Sequence, residues 1–80
     1  MEEITLWLNP ETALQLVKLC SESDFDVNVL CGSQCFDGES IVSIMDLCGH
    51  TVTISPVTQD ELEIEMFRKR VKEITRSNEV

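Results

Sequence analysis

The chain has 80 residues and a formal net charge of −9, so we expect one domain over residues 1–80 with a single small core and a disordered tail at 77–80. So negative a charge argues against binding to nucleic acids or anionic membranes, and it favours basic protein surfaces as partners. The first residues are acidic, at Glu2 and Glu3, and no apolar run approaches membrane-spanning length. We therefore expect a soluble cytoplasmic protein with reduced cysteines.

The first half of the chain predicts three strands and one helix. Residues 4–8 are β-prone and form the first strand. Asn9-Pro10 then starts a helix, because Asn is a preferred N-cap residue and Pro a preferred first helical residue. Apolar and polar residues alternate over 25–30, which predicts a half-buried strand, and residues 34–36 pair back on it as a hairpin. The buried face of the helix is predicted to hold Ala13, Leu16, Val17 and Cys20, flanked by Leu14 and Leu19.

The second half predicts a short helix, a strand and a long helix. Ser40 takes the N-cap position of the short helix, where its hydroxyl is predicted to accept a hydrogen bond from a backbone N–H. A strand follows over 51–55. Thr58 and the glutamate three residues later have the pattern of a capping box, and Glu65 and Lys69 have the spacing of an ion pair within the last helix. The apolar stripes of the two helices are Ile41, Ile44, Met45 and Cys48, and then Ile64, Phe67, Val71 and Ile74.

The predicted order of elements, β-α-β-β-α-β-α, gives an α+β two-layer sandwich. A second observation is the sequence of residues 40–47, which is Ser-Ile-Val-Ser-Ile-Met-Asp-Leu. Order and segment together resemble HPr, the small phosphocarrier of the bacterial sugar phosphotransferase system, whose regulatory-serine segment is typically Ser-Ile-Met-Gly-Val-Met-Ser-Leu. The resemblance runs over residues 4–74, and the first helix and the strand at 27–30 fall in register. It implies a four-stranded antiparallel sheet of order 1-4-2-3 with three helices on one face.

The chemistry of that family depends on a histidine at the start of the first helix, in a His-Ala-Arg-Pro setting. This chain has Asn9 at the position of the histidine and Glu11 at that of the arginine. An amide does not carry a transferable phosphoryl group, and a carboxylate repels the phosphate that an arginine would hold. We therefore expect no phosphocarrier activity, no catalytic residue and no enzyme, with Asn9 acting as a helix cap. The single histidine, His50, is interpreted as a surface loop residue.

Ser40 matches the serine that a dedicated kinase phosphorylates in HPr proteins of some bacteria, after which the product binds a transcriptional regulator. A relative in those bacteria has lost the histidine and works only as a regulator. Here Glu39 would repel a phosphate, and Val42 replaces a methionine of the docking patch of that family. The loop after Leu47 is shorter as well. We interpret Ser40 first as a structural cap, with regulatory phosphorylation as the alternative.

The predicted function is a regulatory protein-binding module of phosphotransferase-system ancestry. Its partner would be a phosphotransferase component or a transcriptional regulator. Two alternatives stay open: a phosphoryl carrier with a non-standard acceptor, and a ferredoxin-like domain that binds a small molecule. The predicted contact surface comprises Asn9, Glu11, Thr12, Ser40, Ile41, Ile44 and Met45.

Four side chains of the types that bind zinc invite a metal hypothesis, namely Cys31, Cys35, Cys48 and His50. Their spacing is not the tight C-x-x-C of common zinc sites, and a cysteine on an apolar helix face behaves as a small hydrophobe. We therefore expect no metal and no cofactor.

Overall fold

The structure, a computed structural model, describes residues 3–77. It contains seven elements in the predicted order. They are β1 Ile4–Trp7, α1 Pro10–Glu22, β2 Val27–Cys31, β3 Gln34–Asp37, α2 Ile41–Asp46, β4 Thr51–Pro56 and α3 Glu61–Ser77. Ser77, the first residue of the predicted tail, belongs to α3, and the other residues of that tail lie outside the described part.

The four strands form one antiparallel sheet in the order β1-β4-β2-β3, as predicted. Ile54 of β4 pairs with Ile4 on one side and with Val29 on the other, so apolar side chains line up across the sheet. These inward side chains join the buried side chains of all three helices in a single core. The helices therefore cover one face of the sheet, and the other face is open to solvent.

The start of α1 follows the sequence prediction closely. The side-chain oxygen Oδ1 of Asn9 accepts a hydrogen bond of 2.9 Å from the backbone N–H of Thr12. In return, Thr12 Oγ1 accepts one of 2.8 Å from the N–H of Asn9, so the two residues form a reciprocal capping box, with Pro10 as the first helical residue. Ala13 and Leu16 of the predicted apolar face are buried.

The start of α3 differs from the prediction, because Asp60 and not Thr58 caps this helix. Asp60 Oδ1 accepts a hydrogen bond of 2.9 Å from the N–H of Leu62, in the first turn. Thr58 instead forms a local turn, since its hydroxyl accepts the N–H of Asp60 at 3.2 Å and donates to Glu63 at 3.0 Å. The prediction that Thr58 caps α3 was therefore wrong by two residues.

The faces of α3 carry one further difference. Phe67 and Val71 are buried as predicted, while the two isoleucines at the ends of the stripe are only half-buried. Glu65 forms its ion pair with Arg68, at 2.8 Å and i, i+3 spacing, and not with Lys69. Within residues 3–77, none of the helices combines the length and hydrophobicity needed to cross a membrane.

Strand β2 begins at Val27, two residues later than predicted. Phe25, which starts the alternating pattern, lies before the strand and packs its ring edge-on against Phe67, with centroids 5.8 Å apart. Asp26 uses its carbonyl oxygen to accept the N–H of Val57 at 2.7 Å, outside the strand ladder. An apolar alternation marks which side chains face the core, and here it extends beyond the paired backbone.

Candidate functional site

The start of α1 holds Asn9 and Glu11, where the resemblance expects a phosphoryl-accepting histidine and its arginine. The side chain of Asn9 is engaged with Thr12 in the capping box and is half-buried, whereas Glu11 is exposed. Thr12 is buried, and its hydroxyl also donates to the carbonyl oxygen of Trp7 at 3.1 Å. Thr12 therefore belongs to the interior, and its place in the predicted contact surface is corrected.

Ser40 starts α2 by its backbone only. Its carbonyl oxygen accepts the N–H of Ile44 at 3.0 Å, the first bond of the helix. Its hydroxyl makes no capping hydrogen bond and donates to Ser43 Oγ at 3.1 Å instead. The predicted side-chain cap was therefore wrong, because the serine hydroxyl lies beside another hydroxyl and not beside a free backbone N–H.

The apolar residues of α2 divide into a buried and an exposed group. Ile44 is fully buried and belongs to the core, so it too leaves the predicted contact surface. Met45 is half-buried, while 47% of Ile41 and 71% of Val42 are exposed. The accessible apolar surface of α2 is therefore formed by Ile41, Val42 and Met45.

The two parts of the predicted surface lie at different ends of α1. The connection before α2 packs on the last turn of α1, since a Cβ atom built on Gly38 would lie only 2.7 Å from the Sγ atom of Cys20. The loop after α2 lies beside the first turn, since Leu8 exchanges backbone hydrogen bonds with Gly49 and His50 at 2.7 and 3.0 Å. Helix α2 thus runs back along α1, so that Ser40 lies towards the end of α1 that is opposite to Asn9.

His50 consequently lies next to the start of α1, although it is distant from it in sequence. It is exposed, and its carbonyl oxygen accepts the N–H of Leu8, the residue before Asn9. The sequence contained a signal for this neighbourhood. In a sheet of order 1-4-2-3 the end of β1 meets the start of β4, and Trp7 does pair with Thr51.

The surface around α2 is acidic. Residues 19–67 contain no lysine or arginine. Exposed carboxylates stand before and within α2, at Asp37, Glu39 and Asp46. Asp37 also accepts the backbone N–H of Glu39 at 2.9 Å, which fixes the turn that leads into Ser40. The exposed apolar side chains of α2 therefore sit among negative charges.

The cysteines and His50 do not come together as one metal-binding cluster within the described residues. Cys31 pairs with Gln34 and Leu30 with Cys35, so Cys31 and Cys35 point to opposite faces of the sheet. Among residues 3–77 no three His, Cys, Asp or Glu side chains are placed to hold a metal ion together. Cys20 is buried under Gly38, and this burial raises the pKa of its thiol to about 12, with a further contribution from the carboxylates of Glu39 and Asp37.

The sheet order and the three helices on one face define an HPr-like fold. The ferredoxin-like alternative is therefore not supported. A solved structure that the chain resembles is the crystal structure of HPr-C-His from Thermoanaerobacter tengcongensis, with a TM-score of 0.68, 21% sequence identity and full coverage of both chains. No protein-family model and no curated protein matches the chain. At this identity the likeness is one of fold.

Proposed function

We propose that the chain is a regulatory protein-binding module of phosphotransferase-system ancestry that does not carry phosphoryl groups. The observation that supports this most is the capping box, because the side chain of Asn9 is committed to Thr12 at 2.9 Å. An amide nitrogen offers no free lone pair to phosphorus, and the exposed carboxylate of Glu11 repels an approaching phosphate. Neither residue suits the transfer chemistry of an HPr phosphocarrier.

The contact surface in this proposal is the accessible part of α2. Ile41 and Val42 are exposed, and removing them from water on binding would contribute about 25 cal/mol per Å² of apolar surface. The partner is then a protein with an apolar pocket and a basic rim, since the exposed carboxylates of Glu39 and Asp46 stand directly before and within α2. A phosphotransferase component or a transcriptional regulator with such a pocket fits the proposal.

Ser40 takes part in this surface without modification. Its hydroxyl is bonded to Ser43, and a phosphate there would stand beside the carboxylates of Asp37 and Glu39. A phosphoserine adds about −1.5 to −2 charges, so these neighbours oppose it. Regulatory phosphorylation of Ser40 is therefore the less favoured version of the same proposal.

A second candidate function rests on His50. The chain has a single histidine, and its backbone lies against Leu8, directly before the helix start that carries the acceptor in HPr. A phosphoryl carrier with a displaced acceptor would use this imidazole. Glu11 counts against it, since a carboxylate near the acceptor weakens the binding of phosphate.

The proposed binding is tested by titrating the isotope-labelled protein with two purified probes. These are the general phosphotransferase enzyme and a transcriptional regulator that recognises HPr. We expect amide shifts centred on α2 with at least one probe, and a Val42→Lys variant should bind about tenfold more weakly. Val57→Lys is the matched control, because Val57 is also exposed and the change in net charge is the same. Absence of binding to both probes, or equal weakening by the two variants, would contradict the proposal.

A further inference from the structure

The outward side chains of the strands themselves, on the open face of the sheet, are nearly all uncharged. Alternation along each strand and the register of the ladders identify the outward side chains. Among the described strand residues that point outward, only Asp37 is charged, although 26% of the chain is charged. Glu3 and Asp26 lie just beyond strand ends, at the same end of the sheet as Asp37, and Arg68 of α3 lines a cavity with Glu3, Leu30, Thr53 and Ser55. The outward residues are Thr5, Trp7, Asn28, Leu30, Cys35, Asp37, Thr51, Thr53 and Ser55.

The opposite end of this face carries large apolar side chains. Trp7 is 56% exposed and Leu30 is 36% exposed. Thr53 pairs with both Thr5 and Leu30, so a continuous uncharged row crosses the sheet beside Trp7. Tryptophan is among the residues that contribute most when buried at protein interfaces. Polar outward residues are sufficient for a sheet face that contacts only solvent. Contact with solvent therefore does not explain the exposed tryptophan on this face.

We propose that this face binds a second copy of the chain, with the two sheets packed face to face about a two-fold axis. Two copies that each carry a net charge of −9 repel one another. On the open face they meet without opposing carboxylates, provided that the axis passes near Trp7 and Leu30. A basic partner gains no charge contact from these neutral residues and is better served by the acidic surface of α2. The sheets would lie about 10 Å apart.

The size of the face sets the strength of this association. Four strands about 4.8 Å apart, with about five residues at 3.4 Å each, cover a patch of roughly 300 Å² in projection. Packing two such patches removes on the order of 1,000 Å² of accessible surface in total, which is at the lower limit of specific interfaces. The dimer is therefore weak, and it strengthens with added salt because salt screens the repulsion.

Trp7 makes the proposal directly measurable, because it is the only tryptophan of the chain. Sedimentation velocity and intrinsic fluorescence are measured from about 10 μM to 1 mM protein, at low and high salt. We expect a monomer–dimer equilibrium and a blue shift of the Trp7 emission that follows the dimer fraction. A monomer over the whole range overturns the proposal, and so does a dimer whose formation leaves the Trp7 emission unchanged.

Substitutions at Thr5 locate the interface. A charge of either sign there is repeated in both copies near the axis, so Thr5→Lys and Thr5→Glu should each shift dimerisation to at least tenfold higher protein concentration. Val42→Lys on α2 is the control, since it makes the same change in net charge as Thr5→Lys and should leave dimerisation in place. Circular dichroism verifies that each variant folds. If Thr5→Lys dimerises as Val42→Lys does, another surface forms the dimer and the proposal fails.

Discussion

Gly38→Ala tests the packing that holds the start of α2 against α1. A Cβ atom at this position would lie 2.7 Å from the Sγ atom of buried Cys20 and 3.0 Å from the carbonyl oxygen of Val27. That oxygen also accepts the N–H of Gly38 at 2.9 Å, so the new methyl group cannot move away without loss of this bond. Such overpacking lowers the free energy of unfolding by roughly 1–3 kcal/mol. The lower conformational entropy of the unfolded chain with alanine offsets about 0.5 kcal/mol of this loss.

The net loss is therefore about 1.5 kcal/mol, measured as the free energy of unfolding in a denaturant titration. An 80-residue domain has a total stability of roughly 4–12 kcal/mol, so this loss is easily resolved. In thermal unfolding it corresponds to a decrease in Tm of about 6–12 °C. Amide shifts should be confined to α2 and the segment before it, the last turn of α1 and the start of β2.

A double-mutant cycle isolates the contact. Cys20→Ala removes the Sγ atom at a cost of about 1 kcal/mol on its own, and it frees space for the alanine methyl at position 38. The double variant should therefore be at least about 1 kcal/mol more stable than the sum of the two single effects predicts. Gly32→Ala is the control, since Gly32 has a φ of +60° and open space around it. Equal coupling of Cys20→Ala to both glycine substitutions would refute the packing argument.

Three further predictions concern helix starts and the buried thiol. Asp60→Ala should lower the free energy of unfolding by about 1 kcal/mol, and Thr58→Ala should lower it by less, because Asp60 bonds the first turn of α3 directly; the reverse order in denaturant titrations would restore the capping role predicted from the sequence. Ser40→Ala should change stability by less than about 0.5 kcal/mol, since its hydroxyl bonds Ser43 and no backbone N–H; a larger loss in the same assay would mean that the hydroxyl caps α2 in solution. Burial raises the pKa of the Cys20 thiol from 9.0 to about 12, so the folded state favours the neutral thiol. The part of the folding stability that depends on this neutral thiol is complete below pH 9 and is lost as the pH rises towards 12. Stability should thus fall more steeply above pH 9 in the wild type than in Cys20→Ala, and parallel curves would contradict this.

The helix starts and strands that were predicted correctly depend on residues close together in the sequence. Asn9-Pro10 marks the start of α1 because both residues act within one turn. β-propensity, period-two alternation and a hairpin turn identified the strands, whose pairing the HPr resemblance then ordered. The start of α3 was misjudged because Thr58 and Asp60 are both good caps. Which of the two residues is the cap depends on where the first turn of the helix begins.

The candidate site was less predictable, because it depends on depth and on contacts between distant residues. Apolar spacing placed Ile44 and Ile41 on one helix face but did not show that the first is buried and the second exposed. The neighbourhood of Leu8 and His50 arises from the pairing of β1 with β4, so it follows from topology and not from spacing. The separation of Ser40 from Asn9 likewise required the direction of α2 along α1.

The most direct test of the proposed loss of phosphocarrier activity is incubation of the protein with the general phosphotransferase enzyme and labelled phosphoenolpyruvate. An ordinary HPr serves as the positive control. With Asn9 engaged in its cap and Glu11 beside it, we expect no acid-labile label on this protein. Acid-labile label in the wild type would contradict the account, and its loss in His50→Gln would assign the phosphoryl group to the displaced imidazole.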